Sequence, residues 1–168
     1  MLKSLATTLC LLAAPAHPSD AAPSVARAGD GYQATAIVAA APEVVRATLA
    51  DAGDLSLRTS DVLSVEVVPR DACVEVRART RGLTRPLTYR ALRCPTDTGY
   101  RESLLETGDF KRYESEWRID AVEGGSRVSF RVVVDPDVPA PRALVLQNVK
   151  RSTLAAVTAL QERLAGPR

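Results

Sequence analysis

Few residues in this chain have side chains that could do chemistry. They are one histidine, three cysteines, and some carboxylates and tyrosines set on strand-like runs. The histidine, His17, lies in an N-terminal stretch with the character of a cleaved leader, so the remaining domain would contain no imidazole. That excludes Ser-His-Asp and Cys-His catalysis, histidine metal ligation and imidazole proton transfer together. An acid/base pair would have to come from carboxylates, tyrosines or arginines. Glu102 and Glu106 share a strand face with Tyr100 and Leu104, and Glu102 with Tyr113 makes the best such pair. Glu114 and Glu116 alternate with arginines and by parity face away from Trp117. Charged residues on strands of this kind more often form a solvated face. No catalytic residue, metal ligand or cofactor is therefore assigned.

Cys73 and Cys94 lie on two strand patterns that flank "RGLTRP", with Gly82 and Pro86 as turn residues. If the turn is centred between Leu83 and Thr84, residues whose numbers sum to 167 stand opposite one another, as Cys73 and Cys94 do. Opposed residues in a non-hydrogen-bonded pair have Cα atoms about 4.5 Å apart, within reach of a disulfide. A redox pair would favour C-x-x-C spacing, and a metal site would need two further ligands. A structural disulfide is the expected state, in keeping with an oxidising compartment.

The chain has 168 residues, 46% of them hydrophobic, and a net charge of +2 from 22 basic and 20 acidic residues without a basic block. This composition fits one soluble domain and makes nucleic acid an unexpected partner. Lys3, the apolar run "LATTLCLLAAPA" (5–16) and the small residues after it form a signal-peptide pattern, with cleavage after Ala16, Ala22 or Ala28. The run is too short to cross a bilayer, and Cys10 lacks a lipoprotein context. Residues 1–28 are thus expected to be signal peptide and flexible stretch, and 31–166 the domain, in a periplasmic or secreted protein.

The elements that must position the candidate residues follow from pattern. "YQATAIVA" (32–39) suggests a strand, and "APEVVRATLAD" (41–51) a short helix started by Pro42, with Val45 and Leu49 on one face. Strand-like runs then span 62–68, 73–80, 87–94, 100–107, 110–122 and 127–134, the last behind the turn "EGGS". Alternation puts Tyr113, Ser115, Trp117 and Ile119, and likewise Val128, Phe130, Val132 and Val134, on an apolar face of an antiparallel sheet. The cover for that face is a helix over 142–166, with Leu146, Val149, Thr153, Val157, Leu160 and Leu164 as its stripe and Gly166-Pro167 as its stop. Pro136, Pro139 and Pro141 in "VDPDVPAPRALV" set the angle between last strand and helix.

Three segments carry a resemblance to a known group: "IVAAAPEVVRATLAD" (37–51), "YESEWRIDAVEGGSRVSFRVVVDP" (113–136) and "PAPRALVLQNV" (139–149). In this order they resemble the START-like (SRPBCC) superfamily, in particular its polyketide cyclase/dehydrase and coenzyme Q-binding branches. The resemblance implies an α+β helix-grip fold, with a curved antiparallel sheet of six to seven strands wrapped around a long C-terminal helix. It also implies an apolar cavity between them for a lipid, sterol, polyketide or quinone-like ligand. Tyr89, Tyr113 and Ser115 would supply hydroxyls to such a cavity, and Trp117, Phe130, Leu146 and Val149 apolar wall. The expected function is extracytoplasmic binding or transport of a hydrophobic small molecule by a monomer, with a polyketide cyclase/dehydratase-type enzyme as the alternative. A further alternative is peripheral membrane contact, with the arginine-rich hairpin (Arg77, Arg79, Arg81, Arg85, Arg90, Arg93) meeting anionic headgroups. Against this stands a solvated outer face on which those arginines pair with Glu75 and Asp71.

Overall fold

The computed structural model describes residues 22–51, 53 and 61–166; the apolar run 5–16, Cys10 and His17 lie outside the described residues. Eight antiparallel strands form one sheet: β1 (Ser24–Ala28), β2 (Gly31–Val38), β3 (Val62–Arg70), β4 (Cys73–Thr80), β5 (Leu87–Thr96), β6 (Gly99–Glu106), β7 (Phe110–Val122) and β8 (Gly125–Pro136). Helix α1 (Pro42–Ala50) follows β2, and α2 (Arg142–Ala165) closes the domain. The strand order is β1-β2-β8-β7-β6-β5-β4-β3, a meander from β3 to β8 whose last strand pairs with β2. This is the expected helix-grip arrangement, with one strand more than anticipated.

The extra strand corrects the N-terminal boundary. β1 pairs with β2 from Ser24↔Thr35 to Ala28↔Gly31, so the folded domain reaches upstream of Gly31 to Ser24. Its sequence, SVARA, is nowhere fully buried. Backbone pairing to β2 holds it in place, and no apolar alternation announces it.

The alternation read from β7 and β8 holds. Trp117, Ile119 and Val128 are buried on the inner face with Ala34, Ala36 and Val38 of β2, Val45 and Leu49 of α1, and Ala156, Val157, Ala159 and Leu160 of α2. Alanines on both β2 and α2 let the helix lie close to the sheet. Pro141 precedes the first helical residue, and its carbonyl accepts from the Leu144 and Val145 amides at 3.0 and 3.2 Å. Gly166, at φ 74°, ends α2 in a left-handed conformation that favours glycine, and its N–H donates to the Arg163 carbonyl.

The β4–β5 hairpin has the predicted register, from Val74↔Arg93 to Thr80↔Leu87. Cys73 and Cys94 form a disulfide, with Cα atoms 4.4 Å apart. For a closed loop of this size, chain-entropy reasoning predicts that Cys73→Ser/Cys94→Ser lowers unfolding free energy by roughly 3 kcal/mol. Urea unfolding of the oxidised wild type and the double variant measures that difference.

On the outer face, the buried Glu75 carboxylate accepts from Arg70 at 2.6 Å, Arg77 at 2.8 Å and Arg90 at 2.7 Å, so β3, β4 and β5 meet on one anion. These bonds, from Arg90 first and then Arg77 and Arg70, outweigh burial and hold its carboxyl well below the usual carboxylate range. A carboxylate whose folded pKa is depressed adds stability that is complete above the unfolded value and lost as pH falls through the folded one. Stability should therefore drop below about pH 4.5, and Glu75→Gln should flatten that part of the profile. Urea midpoints taken from neutral to strongly acidic pH on both proteins check this.

Candidate functional site

Between the inner face of the sheet and the first half of α2 lies a cavity of about 210 Å³. Strand parity supplies its floor: Tyr89 and Arg93 from β5, Glu102 from β6, Tyr113 and Trp117 from β7, and Phe130 from β8. Its roof is α2, through Val145, Val149, Thr153 and Ala156. Arg81 to Thr84 of the β4–β5 connection and Pro136, Val138, Pro139 and Ala140 of the proline joint also line it.

Two aromatic pairs shape the apolar wall. Trp117 and Phe130 stack with centroids 4.1 Å apart, a consequence of their direct cross-strand pairing. Tyr89 stacks on Tyr113 at 4.4 Å, and Phe110 meets Tyr89 edge-on at 5.6 Å.

A chain of hydrogen bonds crosses the floor. Arg93 Nη1 donates to Glu102 Oε1 at 2.9 Å, Tyr113 Oη donates to Glu102 Oε2 at 2.9 Å, and Tyr89 Oη donates to Tyr113 Oη at 3.4 Å. Arg93 is 4% exposed and Glu102 7%, so this ion pair is out of solvent. Burial first, then the nearby Glu102 charge, pushes both tyrosine pKa values up, and both stay neutral phenols across the physiological range. Arg93 Nη2 donates to the Leu49 carbonyl at 2.5 Å, and Tyr100 Oη to the Arg46 carbonyl at 3.3 Å. The Leu49 carbonyl lies in the last turn of α1, where a helix leaves its C=O groups without internal partners. The guanidinium supplies the cation that the last turn of α1 lacks, and it lies over the Tyr100 ring at 4.6 Å.

Five of the seven expected ligand-contacting residues, Tyr89, Tyr113, Trp117, Phe130 and Val149, line the cavity; Ser115 and Leu146 do not. Ser115 faces inward but is 3% exposed, set between Glu102 and Val132 in the ladders. Leu146 is displaced by helix geometry. The lining stripe runs through Val145, Val149 and Thr153, and the residue after Val145 points about 100° away from it.

Two expectations about charge are corrected. Arg93 belongs by sequence to the arginine-rich hairpin expected on an outer face, yet it shares strand parity with the inward-facing Leu87, Tyr89 and Ala91, and it points inward with them. Glu102 leaves the solvated class for the same reason, sharing its face with Tyr100, whereas Glu106 is exposed and bonds Arg90. Of the others, Arg77 and Arg90 meet Glu75 on the outer face, Arg85 meets Asp109 at 2.5 Å, and Arg81 lies at the cavity. Asp71 instead occupies the β3–β4 turn at φ 49°.

A polar fastening at the cavity edge was not legible beforehand. Asp61 Oδ2 accepts from Ser152 Oγ at 2.5 Å, Oδ1 from Arg151 at 3.2 Å, and its carbonyl from the Arg81 amide at 2.7 Å. Asp61 precedes β3, Arg81 follows β4 and Ser152 belongs to α2, so a single residue joins sheet, hairpin and helix beside the cavity.

The family model described as "Polyketide cyclase / dehydrase and lipid transport" matches residues 38–161, a span that includes every floor and roof residue named above. No curated protein matches the chain. Among solved structures, TTHA0849 from Thermus thermophilus is 25% identical at a TM-score of 0.71, over 79% of this chain and 95% of that one. The Zhui aromatase/cyclase from Streptomyces sp. R1128 is 17% identical at 0.63, over 79% and 92%. A STAR-related lipid transfer protein from Xanthomonas axonopodis is 18% identical at 0.63, over 86% and 99%. At the two lower identities the likeness is one of fold.

Proposed function

Because this chain belongs to the polyketide cyclase/dehydrase and lipid transport family, we propose that it binds and carries one hydrophobic small molecule between sheet and helix, without transforming it. The observation that carries this reading is the cavity itself: about 210 Å³, with stacked aromatic walls and a chain of hydrogen-bonded polar groups set at its floor. Apolar enclosure with a few fixed polar groups is the usual form of a small-molecule site. The volume exceeds the ~150 Å³ that accepts a benzene ring and falls below the ~300 Å³ at which ligand pockets usually begin. A two-ring molecule suits it as it stands; a longer lipid, quinone or polyketide-like chain would need the helix and hairpin to part.

The family description also covers cyclases and dehydratases, and the contact between Tyr113 and Glu102 favours that second reading. A neutral phenol could act there as an acid. Against it, each carboxylate oxygen of Glu102 already accepts a bond, one from a buried guanidinium and one from Tyr113 itself, so the group is engaged by the fold. Carriage is the better fit.

The compartment belongs to the same proposal. The disulfide suits an oxidising environment, and the leader-like pattern suits export. Cleavage after Ala16 or Ala22 would keep β1, and cleavage after Ala28 would discard it. The protein is expected to act as a monomer.

Native mass spectrometry of the protein from its own extracytoplasmic fraction tests the reading. A retained small-molecule mass that is lost on solvent extraction, on a chain beginning upstream of Ser24, is expected. Repeated recovery of the empty protein, together with no binding of apolar dyes, would remove the carriage reading. Turnover of an added polyketide analogue that depends on Tyr113 would replace it with the enzymatic one.

A further inference from the structure

One donor on the cavity floor is left over from the fold. The neighbouring polar atoms are engaged: Tyr113 gives its hydroxyl proton to Glu102, Tyr89 gives its own to Tyr113, and Arg93 uses one proton of Nη1 on Glu102 and one of Nη2 on the Leu49 carbonyl. The Nε–H of Arg93 is buried and has no acceptor among the described residues. In the same row of the sheet, where Arg93 pairs with Glu102 and Glu102 with Ser115, the buried Ser115 Oγ also has no partner among the described residues. A buried donor without an acceptor is costly, and the cost is removed when a ligand oxygen arrives. Arg93 lines the cavity, so the oxygen that completes it can come from a bound molecule.

Charge decides what kind of oxygen. The Arg93 cation is already matched by the Glu102 carboxylate at 2.9 Å, so the floor is close to neutral overall. A carboxylate ligand would bring a second anion beside the buried Glu102, and it would have to shed hydration to do so. A neutral oxygen acceptor meets the Nε–H without either penalty. We infer that the cavity selects apolar molecules carrying a neutral carbonyl oxygen, of the ketone, quinone or ester class, over plain hydrocarbons and over carboxylates, and that Arg93 is the residue that reads this oxygen. This specificity rests on the carriage reading above.

Three probes of one shape separate the terms: an acetylnaphthalene, its ethyl hydrocarbon counterpart and the corresponding naphthoate, titrated into the disulfide-bonded protein by calorimetry. The ketone is expected to bind about tenfold more tightly than the hydrocarbon, as one hydrogen bond to a charged donor allows, with the naphthoate weakest. In a Tyr89→Phe/Tyr113→Phe background, which removes the hydroxyls that loss of Glu102 would free, the ketone preference should persist, and adding Arg93→Met/Glu102→Leu should abolish it. Equal affinities in the wild type, a preference for the naphthoate, a ketone preference lost with the hydroxyls alone, or one that survives the Arg93 and Glu102 substitutions would each overturn the inference and leave carriage standing. Failure of all three probes to bind would remove the carriage reading, and the specificity with it.

Discussion

Glu102→Ala should lower the unfolding free energy by roughly 3–5 kcal/mol, the range found when one partner of a buried ion pair is removed. Arg93 is the reason. Its guanidinium is 4% exposed, held between the Leu49 carbonyl and the Tyr100 ring, and it cannot turn to solvent when its counter-ion goes. The substitution also deprives the Tyr113 hydroxyl of its acceptor. Replacing both charges, as in Arg93→Met/Glu102→Leu, should recover most of the loss, because apolar side chains of similar volume are often neutral or stabilising where an ion pair was buried. Glu106→Ala makes the contrast. It lies on the same strand but is exposed, and the change should stay within about 0.5 kcal/mol. Urea unfolding of the four proteins decides the matter. A cost below about 1 kcal/mol for Glu102→Ala would mean that Arg93 reaches water and that the floor is wet.

Val149→Trp should weaken binding of the acetylnaphthalene probe by about a hundredfold or more, because the indole would occupy space that close packing elsewhere cannot give back. Val149 lines the roof in the second turn of α2, within a cavity of about 210 Å³. The domain should stay folded, since the added volume enters existing space. Leu146→Trp, on the same helix but off the lining stripe, should leave affinity within about twofold. If the two variants bound the probe equally, the cavity would not be the binding site.

How far the site could be read in advance depended on which physical signal each residue carried. The hairpin register was legible because Gly82 and Pro86 mark the turn and two cysteines fix the sum of opposing numbers, and the ladder from Val74↔Arg93 to Thr80↔Leu87 follows it. The aromatic wall was legible from alternation, as Trp117 and Phe130 show. Arg93 and Glu102 were obscured by a prior that sends charges outward, although their parity with Tyr89 and Tyr100 pointed inward. A buried pair of opposite charges on adjacent strands satisfies both rules at once, and no single-residue tendency reveals it. β1 left no signal because SVARA owes its conformation to β2. Leu146 was displaced from the lining by a one-position shift in helix phase, which the stripe of apolar residues could not resolve because Val145 is apolar too. Asp61 contributes through contacts between three segments distant in sequence, which local pattern does not encode.

The β4–β5 hairpin behaves as a cantilever. Its root is fastened twice, by the disulfide between Cys73 and Cys94 and by Glu75 with its three arginines, whereas the Leu83 tip beside the cavity is 51% exposed. Between root and tip, Asp61 braces Arg81 on the β4 side, and Asp109 braces Arg85 and Thr88 on the β5 side. Lengthening the tip would therefore tune the span beside the cavity, and with it the exchange rate of a bound probe such as the acetylnaphthalene, without loading the root that keeps the floor in register.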